Sequence, residues 1–286
     1  MPRKYRYLRH QVPGLMQIAA AGLGRALGRP GKRSVRAEIA PPSRRLLRDY
    51  LRSLDCQPDI ANTEVPAHFF PQWAVPLTAR TFSDAPVSMR QLVNAGCRLQ
   101  INSAIPAGVS IEITSHLEDI DVTDSRVLLR SHVTSGPPSA PNAIVADLFL
   151  FARTQPSGKS QKKTEEIPKD AIAIDKWTLR PNAGIEFALY TGDPNPIHFS
   201  KRYARTMGYR NPILHGFSTF ARAFESIVKN VHKGDRSKLT EFEARFRKPL
   251  PLPSQPVVFI SGSNVYVADD SQKTIFMSGS FRSKDD

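Results

Sequence analysis

The chain has 286 residues with a formal net charge of +14, and 40% of its residues are hydrophobic. This length suffices for one large domain or two ordinary ones, and no apolar run reaches the roughly 20 residues that a membrane-spanning helix needs. The two cysteines, Cys56 and Cys97, match no disulfide framework and no metal-ligand spacing, which favours ordinary buried thiols in a reducing, cytoplasmic compartment.

Residues 1–40 form a basic arm. Residues 1–50 contain 12 Lys and Arg residues but only two acids, so most of the net charge lies here. Such an arm favours an anionic partner, either an acidic carrier protein or an anionic membrane surface, and a solvated tail is an equally open alternative. Its short apolar stretch, residues 14–27, is more typical of an amphipathic helix than of a secretory signal, and the Arg-rich start leaves a mitochondrial matrix location open. Nucleic-acid-binding motifs are not found in the sequence, so no nucleic acid partner is predicted.

Residues 154–170 are polar, contain Pro156, Gly158 and Pro168, and show no apolar period. This composition predicts a linker between residues 41–153 and residues 171–286.

The two halves resemble each other. Pro66 begins a segment that corresponds to the one beginning at Pro212, 146 residues later, and Cys97-Arg98-Leu99 corresponds to Ala244-Arg245-Phe246, 147 residues later. Two matches at a nearly constant offset predict an internal duplication.

Each half is predicted to contain an early helix, a longer apolar helix and a series of strands. The early helices are expected at residues 44–53 and 183–190. In the second half, apolar residues recur every three or four positions from Ile213 to Val231, which predicts the long helix, and Gly234 is placed to end it. Strands are expected at residues 109–115, 127–133 and 144–151, and at 241–247, 257–263 and 274–281. The fold class is therefore α+β, with two antiparallel sheets that each wrap around a long central helix.

The segment from Ala188 to His198, ALYTGDPNPIH, contains the candidate catalytic residues. It places Asp193 and His198 five residues apart, with Pro194 and Pro196 between them. Proline restricts the backbone of its own residue and of the one before it, so the loop can present an acid/base pair at a fixed separation. An ordinary turn, with His198 packing at the next element, is the alternative that the composition leaves open.

The segment resembles the signature of the MaoC-like, (R)-specific enoyl-thioester hydratases, Tyr/Phe…Ser/Thr-Gly-Asp-x-Asn-Pro-hydrophobic-His. Tyr190, Asp193, Asn195 and His198 occupy its specified positions. The family's second landmark, Pro-hydrophobic-hydrophobic-His-Gly, is present as residues 212–216. The resemblance covers residue 172 to about residue 281 well, and the first half looks like the degenerate repeat of the family's two-repeat members. It implies a double hot-dog fold and reversible, cofactor-free hydration of trans-2-enoyl thioesters to (3R)-hydroxyacyl thioesters.

The resemblance also implies a role for each site residue. Asp193 would take a proton from the attacking water, and His198 would orient that water and take part in proton delivery to Cα. The backbone N–H of Gly216 would stabilise the thioester oxygen. Asn195, Tyr190 and His215 are assigned to substrate binding, and His215 is also expected to make a structural hydrogen bond at the start of the long helix.

The first half lacks residues that correspond to these candidate catalytic groups. Phe70 stands at the position that matches Gly216, and no histidine follows Asp55 at a spacing of five. Phe69, Phe70 and Trp73 could line an acyl-chain site, although core packing is the simpler expectation, as it is for the phenylalanines of the long helix. The first half is therefore predicted to be catalytically inactive.

No metal site and no nucleotide cofactor is predicted, because cation-ligand, P-loop and dinucleotide motifs are not found in the sequence. The expected substrate handle is coenzyme A or an acyl carrier protein, and a homodimer is an open alternative. Two other functions remain open: a hot-dog thioesterase, and a catalytically idle subunit that binds acyl thioesters or carrier proteins.

Overall fold

The computed structural model describes residues 33–81, 92–154, 165–193 and 195–284. Most of the basic arm, residues 1–32, and most of the predicted linker therefore lie outside the described residues. The helices and strands, numbered in chain order, are β1 Ser34–Ile39, α1 Arg44–Ser53, β2 Glu64–Val65, α2 Pro71–Ala79, β3 Val93–Ile101, β4 Ile105–Pro106, β5 Ile111–Thr123, β6 Arg126–Gly136, β7 Ile144–Arg153, β8 Ile172–Lys176, α3 Ala183–Thr191, α4 Lys201–Thr206, α5 Gly216–Asn230, β9 Leu239–Phe246, β10 Val257–Ser261, β11 Asn264–Ala268 and β12 Ile275–Ser283.

The chain forms two compact units. One contains β1 and the described residues from 60 to 154, and the other contains Arg45–Asp59 together with the described residues from 165 onwards. We call them the N-unit and the C-unit.

The N-unit is built on antiparallel strands in the order β1-β5-β6-β7-β3. Strand β5 shows why this surface forms: Ile111, Ile113 and Leu117 are buried, while Glu112 and His116 between them are exposed. Such alternation places one face of a strand in the core and the other in solvent. Helix α2 packs against β1, β5 and β6.

The C-unit is built on antiparallel strands in the order β8-β10-β11-β12-β9. If the short strands β2 and β4, which pair only with each other, are left out and the others are numbered along the chain within each unit, both units have the same strand order, 1-3-4-5-2. This equal order agrees with the predicted duplication. Helix α5 packs against β8, β9 and β11. The unit therefore places one long helix on an antiparallel sheet.

The core of the C-unit explains the burial of α5. Phe220 and Phe224 are almost completely buried, and the Phe220 ring lies 4.5 Å from that of Phe242 on β9. Fully burying a side chain of this size stabilises the fold by roughly 1.5–3 kcal/mol. These phenylalanines are core residues, as the sequence indicated. In the N-unit, Phe69, Phe70 and Trp73 are likewise buried.

Several boundaries differ from the sequence-based expectation. Helix α5 begins at Gly216 rather than at Ile213, and it ends at Asn230. The last part of the predicted arm, Ser34–Ile39, forms strand β1 and pairs with β5. Strands β1, β2, β3, β4, β8 and β11 were not predicted, because they are short or interrupted by polar and charged residues and so give a weak apolar pattern.

Helix α1 was expected to be the early helix of the first half, but from Arg45 onwards it groups with the C-unit. There the ring of Tyr50 lies 6.1 Å from that of Phe187 on α3, so the two early helices are packed against each other. Arg222 of α5 holds the end of α1: its guanidinium donates to the carbonyl oxygens of Ser53 and Leu54 and to the carboxylate of Asp55.

Candidate active site

The loop that carries Asp193 begins at a helix end. Gly192 follows α3 with a φ of 82°, and its N–H donates to the Ala188 oxygen at 2.8 Å. A positive φ costs glycine little, so the chain can reverse here. The carboxylate Oδ1 of Asp193 then accepts from the Asn195 N–H at 3.1 Å, and Asn195 Oδ1 accepts from the Ile197 N–H at 3.2 Å. Two consecutive Asx turns therefore set the shape of the loop.

A short 3₁₀ turn, Pro196–His198, follows and rests on α3. A Cβ atom on Gly184 would lie 1.9 Å from the His198 carbonyl oxygen, far inside any real contact. Gly184 therefore allows the backbone of His198 to contact the helix. Ile213, just before α5, donates its N–H to the Ile197 oxygen at 3.3 Å and ties the other side of the turn.

His198 has a defined tautomer. Its Nδ1 lies 2.9 Å from the Ile213 carbonyl oxygen, and because a carbonyl can only accept, Nδ1 must carry the proton. The neutral ring then presents an unprotonated Nε2. Burial lowers the pKa of His198, and the Asp193 carboxylate only partly opposes this shift, so the neutral form predominates at neutral pH.

His215 lies directly behind His198. The two rings are stacked, with centroids 3.5 Å apart and an interplanar angle of 23°. Burial first, and then the neighbouring His198, lower the pKa of His215 to about 3. Its Nε2 lies 3.8 Å from Asp193 Oδ2, and neither ring nitrogen has a hydrogen-bond partner among the described residues. The structural hydrogen bond expected for His215 is therefore not found there.

Gly216 is the first residue of the 15-residue helix α5. Among the described residues no acceptor is recorded for its backbone N–H, and this end of a helix carries positive partial charge. A Cβ at Gly216 would approach the Phe246 ring to 2.6 Å. Packing against this ring therefore favours glycine at this position.

Asp193, His198 and His215 come together, with one donor atom from each lying within 4.8 Å of the others. Because the two rings are stacked, the lone pairs of their nitrogens lie in nearly parallel planes and do not converge on one point, as they would have to around a metal ion. In addition, His198 Nδ1 already donates to a carbonyl oxygen. The cluster therefore suits proton transfer better than tetrahedral metal binding.

A second group of candidate ligands lies on the N-unit. His132 Nδ1 is 2.8 Å from Asp147, and Glu118 forms an ion pair with Arg130 at 2.7 Å. These side chains already satisfy one another, so the group needs no cation to explain it.

For two of the predicted substrate-binding residues the structure gives contacts within the chain, and their role in substrate binding stays a prediction. Asn195 uses its side chain to cap the 3₁₀ turn. Tyr190 is half-buried at the end of α3, where burial and then the carboxylates of Asp49 and Glu186 raise its pKa.

Sequence reasoning missed the backbone oxygen of Ile213 and the role of Gly184. A glycine inside a helix costs about 1 kcal/mol relative to alanine, so its presence in α3 was the available signal for a close contact.

The comparisons with solved structures show the fold. HtdX from Mycobacterium tuberculosis is similar in structure, with a TM-score of 0.71 at 16% identity over 87% of this chain and 99% of that one. A hypothetical protein from the same organism with a double hot-dog fold matches with a TM-score of 0.52 over 89% of this chain and 96% of that one, at 10% identity. The chain therefore has a hot-dog fold with a large antiparallel sheet.

The match to a family model covers a smaller part of the chain than the fold comparisons do. Residues 159–275 match the model of the MaoC like domain, so this part of the chain is similar to that family. A probable enoyl-CoA hydratase 2 from Dictyostelium discoideum is 32% identical over 89 residues, 30% of each chain. The enoyl-CoA hydratase ChsH3 from Mycobacterium tuberculosis is 23% identical over 58% of this chain and 59% of its own length. The aligned regions cover between 14% and 59% of the length of the curated relatives.

Within the described residues, no helix is long and apolar enough to cross a membrane.

Proposed function

We propose that the C-unit catalyses the reversible addition of water to trans-2-enoyl thioesters, giving (3R)-hydroxyacyl thioesters. The observation that carries the proposal is the cluster at the start of α5: a ring nitrogen of His198 and a carboxylate oxygen of Asp193 lie within 4.8 Å of each other and of a ring nitrogen of His215, and the residue after His215 is Gly216, whose N–H has no acceptor among the described residues. The names of the relatives support the same reaction class.

The pair is suited to hold one water. The Asp193 carboxylate and His198 Nε2 are both acceptors, so a water between them donates one hydrogen to each. Both of its O–H groups are then engaged, and an oxygen lone pair is left to face the substrate. Holding the nucleophile at a fixed place converts an encounter with bulk water into an oriented attack.

In the hydration direction, the water oxygen bonds to Cβ while one O–H bond breaks and its proton passes to Asp193. The Cα=Cβ electron pair moves towards the carbonyl and places negative charge on the thioester oxygen. The Gly216 N–H stabilises this charge, an effect worth about 3–4 kcal/mol for one oxyanion-hole donor. Cα then takes up the proton that Asp193 received, with His198 Nε2 taking part in its transfer, so both side chains return to their initial protonation states. Dehydration is the same sequence reversed.

We further propose that each sheet wraps its long helix in the manner of a double hot-dog, with the C-unit catalytic and the N-unit inactive. The substrate handle is the phosphopantetheine of coenzyme A or of an acyl carrier protein. The reaction uses one water, the substrate, and side chains and backbone groups of this chain. Contact of the basic arm with an anionic surface, and homodimerisation, are finer proposals that rest on composition alone.

The test is a hydration assay with crotonyl-CoA and longer trans-2-enoyl-CoAs, following loss of the conjugated double bond and the configuration at C3. We expect Asp193→Asn and His198→Ala each to lower kcat at least about a hundredfold, the usual contribution of a general acid/base group. The matched controls are Asp55→Asn and His116→Ala, which alter the same residue types elsewhere on the surface and should keep wild-type turnover.

Three outcomes would overturn the proposal. Near-normal kcat in either site variant would remove the assigned pair. Free acid as the product would indicate a thioesterase. Binding of enoyl-CoA by the wild-type protein without any turnover would indicate an idle acyl-binding subunit.

A further inference from the structure

The surface directly after His198 has an unusual composition. Within residues 199–210, three arginines and three large apolar side chains are exposed, and the segment contains no acid. The apolar residues are Phe199, Tyr203 and Met207, which are 37%, 41% and 53% exposed. We name this set the α4 patch; its members are Phe199, Arg202, Tyr203, Arg205, Met207 and Arg210.

The charges of the patch are not neutralised locally. Among the described residues, none of its three arginines has a carboxylate within ion-pair distance, whereas Arg130, Arg180 and Arg282 on other surfaces each have one. The apolar exposure is also concentrated here: three of the six exposed large hydrophobic residues of the described chain belong to the patch. Three large apolar side chains exposed within nine consecutive residues, with unpaired arginines between them, are the composition expected of an interaction site.

The composition and shape favour a protein partner. Arginine, tyrosine, phenylalanine and methionine are the residue types enriched in protein interfaces. Ala204 is the only buried residue of α4, and the other five residues of the helix are exposed. An exposed helix can lie against the face of another protein, whereas a small nucleotide is usually held in a concave site.

The patch is close to the catalytic pair. Helix α4 begins three residues after His198, and its six residues rise only about 9 Å along the axis. A partner docked on α4 would therefore release a flexible acyl-bearing arm beside Asp193 and His198.

We infer that the α4 patch docks the acidic face of an acyl carrier protein, which delivers the enoyl group to the C-unit on its phosphopantetheine arm. This inference rests on the proposed function and adds the partner to it. Opposite charges across the rim of an interface act mainly on the rate of association, so the effect belongs in kcat/KM and in its dependence on salt.

The test compares one trans-2-enoyl group on three handles: pantetheine, coenzyme A and a purified bacterial type II acyl carrier protein. The variant is Arg202→Glu/Arg205→Glu, which reverses two charges outside the catalytic machinery. The control is Lys229→Glu/Lys273→Glu, which makes the same change in net charge. Lys229 lies near the far end of α5, about 20 Å along the helix from Gly216. We expect kcat/KM on the carrier-linked substrate to fall at least about tenfold in the first variant only, with a weaker salt dependence. Turnover of the other two substrates should be unchanged.

A second variant, Tyr203→Ser/Met207→Ser, should lower kcat/KM on the carrier-linked substrate without changing the salt dependence. Equal losses with coenzyme A and the carrier, but not with pantetheine, would instead assign the patch to nucleotide phosphates and overturn the inference. Unchanged carrier kinetics would also overturn it. If binding to phosphatidylglycerol-containing vesicles were lost instead, the patch would bind a membrane surface. If the oligomeric state changed instead, the patch would bind a second copy of this chain. A wild-type protein active on coenzyme A but not on the carrier refutes the docking inference alone. Inactivity on all three handles refutes the proposed function as well.

Discussion

His215 is held neutral inside the C-unit, and this makes the folded state sensitive to acid. Its folded pKa is about 3, below the ordinary value of about 6.5. Between these values the unfolded chain binds a proton that the folded protein does not. The contribution of His215 to stability is therefore complete above about pH 6.5 and is lost as the pH falls towards 3.

We predict that His215→Phe removes this sensitivity. In wild type, the free energy of unfolding should lose about 1.4 kcal/mol per pH unit through this residue below pH 6.5. In the variant, the free energy of unfolding should change less steeply with pH between about pH 6 and pH 4. The difference in slope should be about 1.4 kcal/mol per pH unit, which corresponds to one proton. Urea unfolding across this range measures it. The difference in the free energy of unfolding between the two proteins should not change from about pH 7 to pH 8, because neither the folded nor the unfolded state takes up the proton there. Parallel slopes at low pH would contradict the assignment.

Gly184 acts on the site through packing. Because its Cβ would overlap the His198 carbonyl oxygen, Gly184→Ala should displace the 3₁₀ turn and lower kcat more than tenfold, since misplacement by about 1 Å costs on that order. The control is Gly279→Ala, whose Cβ would lie 2.0 Å from the Glu243 oxygen in the sheet. Both variants should melt earlier, but only Gly184→Ala should lose turnover per folded molecule. Equal kcat in the two would mean that the contact does not position His198.

At the scale of elements, helix α1 depends on one buried arginine. Arg222 donates to the Ser53 oxygen at 2.6 Å and to the Leu54 oxygen at 3.2 Å, which satisfies carbonyl groups left open at the end of the helix. Its ion pair with Asp55 contributes less, because the Asp55 side chain is 68% exposed.

We therefore predict different outcomes for the two partners. Arg222→Met should lower the free energy of unfolding by about 3 kcal/mol, since charged hydrogen bonds to buried carbonyls are lost. Asp55→Asn should cost less than about 1 kcal/mol. Chemical denaturation measures both, and limited proteolysis after residue 53 should become faster only in Arg222→Met. A larger loss for Asp55→Asn would place the stabilisation in the ion pair instead.

At the scale of the whole molecule, the described chain begins to pair at Ser34. Strand β1 lies at one end of the strand order of the N-unit, and its Val35 is buried. Removing β1 would therefore expose both apolar surface and the unpaired edge of β5.

We predict that deleting residues 1–32 leaves turnover of small enoyl-CoAs within a fewfold of wild type, because the catalytic pair is complete without them. Deleting residues 1–40 should lower the melting temperature and promote aggregation. Thermal unfolding and light scattering distinguish the two truncations. If the shorter deletion already destabilises the protein, the basic residues contribute to the fold itself.

Features that depend on neighbouring residues were predictable. The Asp193–His198 loop follows from prolines, Asx turns and a left-handed glycine within eleven residues, and all of these act locally. The early helix at 44–53, the alternating strand β5 and the core phenylalanines of α5 follow from periodicity, which one segment contains by itself.

The sequence by itself thus determined the α+β class and the local shape of the loop that carries Asp193 and His198, and it predicted the duplication with which the equal strand order of the two units agrees. Only the tertiary structure decided which residues surround that motif. The stacking of His215 on His198, the Ile213 oxygen that sets the tautomer, and the grouping of α1 with the C-unit all join positions 15 or more residues apart. The physical reason is that such contacts depend on how complete helices and strands fit together, and a local pattern of polarity carries no information about that fit.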